Sequence, residues 1–169
     1  MLDVNNIPIQ VGYYLAGFAD GEGSFNVSFR PRDDCSIPWK ISLCFNISQK
    51  DEVILALCKR HLQCGTMRQR NDGVWYYEVN NFRAIQENVI PFFRKFSFLS
   101  AKKNRDFQKF VKIAEIMESK RHLQAEGVSE ILKLRDNMND GGKRKYSAEE
   151  IVRRIQESSE TTRQTSVKR

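Results

Sequence analysis

No pair of cysteines in this chain has metal-ligand spacing. Cys35, Cys44, Cys58 and Cys64 include no Cys-x-x-Cys, and the only histidines, His61 and His122, lie far apart. That argues against a zinc site and leaves reduced thiols in an intracellular protein as the expected state. No apolar run is long enough to span a bilayer, and the N-terminal segment MLDVNNIPIQVGYYLAGF has no basic leader, so neither a membrane anchor nor a secretory signal is expected. No internal repeat of the solenoid kind is present. Acidic residues are also short: 28 Lys and Arg against 21 Asp and Glu leave a net charge of +7. Such a balance favours a polyanionic partner without choosing among DNA, RNA and an acidic membrane. With 169 residues the chain can bury a core of its own and suits one domain.

Two periodicities organise that domain. A helix is expected from Pro8 to about Asp20, with Asn6 as its cap and Gly21 and Gly23 ending it. In SFNVSFR and WKISLCFNIS, apolar residues alternate with polar ones, which predicts two half-buried strands joined as a long hairpin. DEVILALCKRHL reads as a helix starting near Ser48 or Gln49. TMRQR, the turn NDG and VWYYEVN read as a second hairpin. Helices follow near residues 82–96, where Pro91 sits, at 100–120, at 128–138, and from a cap at Ser147 to about Ser158. Residues 1–160 are expected to form the domain, and 161–169, with nothing to bury, a loose tail. The order favours an α+β fold with a mainly antiparallel sheet and helices on one face.

The opposite face of that sheet has a distinctive composition. The first hairpin contributes Asn26, Ser28 and Arg30, with Arg32 just beyond, and Lys40, Ser42, Asn46 and Ser48. The second contributes Arg68, Arg70, Tyr76, Glu78 and Asn80. An antiparallel sheet can simply be solvated on one side. Arg, Asn, Ser and Tyr, however, suit base edges and phosphates, since Arg pairs with guanine O6 and N7 and Asn with adenine N6 and N7 in the major groove.

YYLAGFADGEGSF, residues 13–25, raises a second question. Gly17 and Gly21 share one helix face, where they admit another backbone at a cost of about 1 kcal/mol per interior glycine. The alternative is that Gly17 admits a strand of its own chain and Gly21 only caps. Asp20 and Glu22 stand at the C-terminal end of the helix, where the dipole disfavours negative charge. Either this is an ordinary acidic turn or a cation answers it, and Mg²⁺ binds through one or two carboxylates with water and phosphate oxygens.

LAGFADGEG, residues 15–23, resembles the signature of the LAGLIDADG homing endonucleases: Leu15, Ala16, Gly17, Asp20 and Gly23 occupy the family's positions. GSF leading into alternating strands, FNISQKD from Phe45, CGTM from Cys64 and KNRDFQKFVKIAEIMESKRHL from Lys103 extend the likeness over nearly the whole chain. The resemblance implies an αββαββα fold whose saddle-shaped antiparallel sheet sits on double-stranded DNA, followed here by extra C-terminal helices. It implies cleavage of both strands with Mg²⁺ or Mn²⁺. One motif is present, so a homodimer on a nearly palindromic site is implied, with Tyr13, Gly17, Phe18, Asp20 and Gly21 at the meeting of two signature helices. An intron-encoded origin, and with it an organellar location, is a further implication.

The same resemblance assigns roles. Glu22 matches the metal-ligating acid, Gln49 a residue orienting solvent, and Lys103 a basic residue near the scissile phosphate, with Lys102 as the neighbouring alternative. Asp20 matches a structural acid. Val53 stands where related homodimers carry a second basic residue, a role either open to Lys50 or Arg70 or dispensable. The C-terminal helices resemble those of single-chain members, so a half of a two-motif enzyme is also compatible. An RNA-splicing maturase or a DNA-binding regulator, with the fold but no cleavage, is the competing function.

Overall fold

In a computed structural model of the chain, which describes residues 1–35, 37–141 and 144–166 (the side chains of 159–166 excepted), the two predicted hairpins join into one open sheet. Its four antiparallel strands are β1 (Gly23–Pro31), β2 (Trp39–Gln49), β3 (Thr66–Gln69) and β4 (Trp75–Val79), in the order β1-β2-β4-β3. The first helix α1 (Ile9–Glu22) precedes β1, and α2 (Glu52–Leu62) links the hairpins. After β4 come α3 (Phe82–Ala84) and α4 (Ile90–Lys95), then α5 (Ala101–Glu118), α6 (Ala125–Asp136) and α7 (Ala148–Ser166). This is the α+β, αββαββα order with additional C-terminal helices.

The alternation decides which sheet face is covered. Phe25, Val27 and Phe29 of β1, Trp39, Ile41, Leu43, Phe45 and Ile47 of β2, and Tyr77 and Val79 of β4 are all buried beneath helices. Phe25 is the hub, its ring lying 5.0–5.8 Å from those of Phe45, Phe93, Phe98, Phe107 and Phe110. Burial of several such rings, each worth roughly 1.5–3 kcal/mol, ties α4 and α5 to the sheet.

Several boundaries differ from the sequence reading. Helix α1 runs through Gly21 and passes straight into β1. Gly23 keeps an extended φ of −79°, so the junction of α1 and β1 is not a left-handed glycine turn at Gly23. What requires glycine at 23 is space, because a Cβ there would come 2.6 Å from the Ala19 carbonyl oxygen. Asn6 lies in a 3-10 turn capped by Asp3, and α1 starts after Pro8 without a side-chain cap. The cap of α2 is Asp51, which accepts from Val53 N–H at 2.9 Å.

Pro91 is absorbed by a π-helical turn at Ile85–Val89, which joins α3 to α4. Widening the coil there accommodates the missing N–H and the ring's clash with the preceding turn. At α7 the predicted cap is reciprocal: Glu150 N–H donates to Ser147 Oγ at 3.2 Å, and Ser147 N–H donates to Glu150 at 2.7 Å. Its backbone continues to Ser166, past the expected end near Ser158, so 161–166 of the expected tail are helical and 167–169 lie outside the described residues. No helix among the described residues is long and apolar enough to cross a membrane.

Candidate nucleic-acid interface and active-site corner

Strand register brings the expected face together. Asn26 lies opposite Cys44, Ser28 opposite Ser42, and Arg30 opposite Lys40 across β1 and β2. Across β2 and β4, Asn46 meets Glu78 and Ser48 meets Tyr76, while Arg68 of β3 meets Tyr76. Ser28, Arg30, Lys40, Ser48 and Arg68 are exposed, and Asn26, Ser42, Asn46, Tyr76 and Glu78 partly so. The Arg30–Lys40 pair is informative because like charges directly opposite one another destabilise a sheet unless an anion answers them.

Other cations on this side are partly engaged. Arg68 sits 5.1 Å from the Tyr76 ring centroid and 3.9 Å from Glu78, and Arg70 lies 3.2 Å from Asp72 in the turn after β3. Arg32 is bound through two 2.7 Å hydrogen bonds to Asp34, whose carboxyl it holds down to about 2, so this cation already has a local partner. Asn80 is exposed just past β4. Cys44, which is not among the expected contact residues, also points outward in the middle of the face and accepts from Asn46 Nδ2 at 3.8 Å. Burial raises its thiol pKa, which keeps it neutral.

The active-site candidates gather at one end of the sheet. Gly23 pairs with Ile47, so Glu22, just before Gly23, and Gln49, two residues after Ile47, lie at the same end of the sheet. Glu22 is exposed. Gln49 is partly buried and its Oε1 accepts from Lys50 N–H at 2.7 Å. Lys103 comes from the first turn of α5, and its Nζ donates to the Gly23 carbonyl. Lys102 turns the other way, to Asp140. Burial pushes the Lys103 ammonium below the usual lysine value, against the opposing pull of Asp20, Asp106 and Glu22.

Asp20 accepts from Ser100 N–H at 3.0 Å and from Ser100 Oγ, and Ser100 Oγ in turn accepts from Lys103 N–H at 3.2 Å. Thus the acid at the end of α1 is tied to the N-terminus of α5, which relieves its unfavourable place on its own helix dipole. Expected at a helix end or a subunit contact, Asp20 is engaged inside its own chain. Ser100 is recognisable in the sequence as a helix start, but nothing local points to a partner eighty residues away. Asn139 is another brace that the sequence does not announce: its Nδ2 donates to the Phe25 carbonyl at 2.9 Å and its N–H to Asp106 at 3.3 Å. Val53 is exposed at the start of α2, and the position supplies no cation.

Beside this corner lies the free face of α1. Ile9, Tyr13 and Tyr14 are 63%, 52% and 60% exposed, and a Cβ added at Gly17 or Gly21 would meet nothing within 4 Å among the described residues. The sheet of the same chain therefore does not account for these glycines. Phe18 is half-buried against the core. As for a metal, no cluster of three or more His, Cys, Asp or Glu suited to one exists among the described residues. With Asp20 engaged, Glu22 is the free carboxylate at the corner. One carboxylate fits a Mg²⁺ site completed by water, phosphate oxygens and a second chain, and does not fit a cage built within one chain.

Residues 15–114 match the family model described as LAGLIDADG endonuclease. The chain is 29% identical over 132 residues to probable intron-encoded endonuclease 2 of Neurospora crassa, covering 76% of this chain and 29% of that protein. It is 26% identical over 149 residues to homing endonuclease I-ApeII of Aeropyrum pernix, covering 84% and 88%. Among solved structures, I-SmaMI bound to uncleaved DNA target in the presence of calcium ions superposes with a TM-score of 0.73 at 34% identity, over 80% of this chain and 47% of that one. The homing endonuclease I-TnaI does so with 0.72 at 28%, over 89% and 96%. The chain thus spans 29% of the Neurospora protein and under half of I-SmaMI.

Proposed function

The chain belongs to the LAGLIDADG endonuclease family, and on that premise we propose that it is a site-specific, metal-dependent endonuclease of double-stranded DNA. Two copies of α1 pack through the Tyr13–Gly17–Gly21 face, and the sheets of both copies lie on a long, nearly palindromic duplex. The observation that carries the reading is the corner where Lys103 donates to the carbonyl of Gly23, the residue next to exposed Glu22, beside that exposed, glycine-bearing helix face. Two-fold symmetry then sets a pair of corners over the two scissile phosphates.

Glu22 is the residue that would hold Mg²⁺ or Mn²⁺. When bound, the metal supplies an acidified water and charge stabilisation at the leaving oxygen. The chain's own groups do the rest. Lys103, released from the Gly23 carbonyl, neutralises charge on the phosphate, and Gln49 orients the solvent at the other side of the corner. Asp20 and Ser100 keep α5 against α1, so that Lys103 is delivered to the place where Glu22 stands. Arg30, Lys40, Arg68 and the Asn and Ser side chains of the outer face contact bases and phosphates.

I-TnaI and I-ApeII, matched over 96% and 88% of their lengths, support a unit of this size, whereas the match covers 47% of I-SmaMI. Relatives named as intron-encoded, together with a cox1 intron-2 protein of Schizosaccharomyces pombe, support an intron-encoded gene of an organelle. The test is a cleavage-site selection from a duplex library with Mg²⁺. Discrete double-strand cuts in a pseudo-palindrome are expected, and Glu22→Gln should bind the recovered site without cutting it. Protection of intron RNA, with no DNA nicking under either metal, would instead establish the maturase function.

A further inference from the structure

The pairing of β1 with β2 runs one step past the last residue of β1. Arg32 N–H donates to the Pro38 carbonyl at 3.1 Å, just beyond the Pro31–Trp39 pair, so Arg32 keeps the parity of Asn26, Ser28 and Arg30 and stands with them on the outer face. The loop beyond it is anchored from behind. Ile37 is buried, and Trp39, 5% exposed, donates its Nε1–H to the Ile151 carbonyl of α7 at 3.2 Å. Arg154 of the same helix stands 5.4 Å from the Trp39 ring centroid and donates to Asp33 at 2.7 Å. Asp34 therefore follows a residue that α7 holds in place.

Asp34 meets Arg32 on one particular edge. Arg32 Nε and Nη2 donate to the two carboxylate oxygens of Asp34, each at 2.7 Å. A guanidinium carries five N–H donors in a planar fork, and this side-on pairing engages two of them. The three that remain include the Nη1 and Nη2 pair at the tip of the fork, which has no partner among the described residues on a side chain 34% exposed. As a staple the contact does little, because an exposed ion pair adds little stability. Its effect is on direction, since a long, rotamer-rich side chain is held in one pose with its tip open. The two charges also cancel. Arg32 holds the Asp34 carboxyl down to about 2, so at ordinary pH the pair is ionised, neutral overall, and adds nothing to sequence-independent attraction for phosphates.

We propose that Arg32 reads one guanine in each half-site, with Asp34 as the positioning residue that aims it. The assignment rests on the reading of the chain as a DNA-binding enzyme. The tip of a guanidinium fork matches guanine O6 and N7 in the major groove, and a carboxylate behind it removes the need to order the side chain at the moment of binding. The strand also places the contact. β1 has nine residues and starts at the corner, so Arg32, which follows it, lies roughly 30 Å away at about 3.3 Å per residue. At a rise of about 3.4 Å per base pair, the guanine falls no more than about nine base pairs from the corner, in the outer part of the half-site.

The experiment recovers the target of the full chain by selection from a duplex library, then measures competition binding to that target, to each of its single-base-pair variants and to an unrelated duplex. For the parent, replacing the outer G·C pair should weaken binding about 5- to 150-fold. Arg32→Lys keeps the charge and loses the fork, and should flatten that position while the others hold. Asp34→Asn should lower the same preference even as the unrelated duplex binds more tightly, because a negative charge has gone. A residue that only held the loop together would not move the two readings in opposite directions. Asp34→Glu, which keeps the carboxylate, should retain the preference. A recovered site with no guanine preference in its outer part, or a preference that survives Arg32→Lys, overturns the guanine contact while the DNA-binding reading stands. An unchanged preference in Asp34→Asn overturns the part given to Asp34. A parent chain that binds no duplex overturns the contact and the DNA-binding reading together.

Discussion

Gly17→Ala separates the needs of the single chain from those of its assembly. Gly17 lies well inside α1, is exposed, and a Cβ there would meet nothing within 4 Å. In the isolated chain the substitution therefore carries no steric cost and gains the full helix propensity of alanine over glycine, about 1 kcal/mol. For a domain of this size that raises the melting temperature by about 2–4 °C. In the assembly the same methyl enters a contact between two helix backbones, where overpacking costs typically about 1–3 kcal/mol, and two-fold symmetry places it there twice. A loss of about 2 kcal/mol or more weakens association about 30-fold. Thermal melts of dilute protein should thus move up, while sedimentation velocity shows a larger dissociation constant and cleavage falls with it. A higher melting temperature with association and cleavage untouched would refute the packing of a second helix on this face. A lower melting temperature at dilution would refute its openness.

The remaining predictions concern the corner and the core. Asp20→Ala removes two hydrogen bonds to Ser100 and should cost about 1–2 kcal/mol in urea unfolding, with cleavage reduced at saturating DNA because Lys103 is less well placed; unchanged stability would show that the link is idle. Glu22→Gln should lower the cleavage rate at least ~100-fold with duplex binding retained, since several kcal/mol of metal-dependent stabilisation disappears; parent-like cutting would remove Glu22 from the mechanism. Because burial disfavours its charged form, Lys103 gives up its proton below the ordinary lysine value of 10.5, so cleavage should fall as pH rises toward that value. Arginine stays charged there, so Lys103→Arg should retain cutting and shift the alkaline limb upward, and an unmoved limb would assign it to another group. Phe25→Ala should destabilise by about 3–5 kcal/mol in chemical denaturation, as its ring touches five others beneath the sheet; a loss under about 1 kcal/mol would contradict its place at the centre.

Legibility followed the range of the interaction. The sheet face is readable because strand alternation is a local rule, and Phe25, Phe45 and Tyr77 are buried as their period-two positions require. The reciprocal cap at Ser147 is readable for the same reason. Arg32 reads as a free cation but is paired, because its partner, Asp34, lies in a loop without periodicity. Gly23 reads as a turn glycine, whereas its cause is the Ala19 carbonyl one helical turn back, which matters only because helix and strand join without a bend. Ser100 and Asn139 carry no signal as partners, since side-chain hydrogen bonds over such separations leave no pattern along the chain.

By itself the sequence determined the order of helices and strands, the polar composition of one sheet face, the family resemblance and the placing of two carboxylates, Asp20 and Glu22, at the end of an apolar helix. These follow from periodicity, side-chain chemistry and a contiguous motif. Only the tertiary structure decided that Lys103 and not Lys102 reaches that helix end, that Asp20 is bound to Ser100, that a Cβ at Gly17 or Gly21 would meet nothing among the described residues, and that β1 has an edge opening on a cationic cleft. Each of those depends on where α5, α6 and the sheet edge come to rest, which is set by packing around Phe25 and not by any rule a short segment obeys alone.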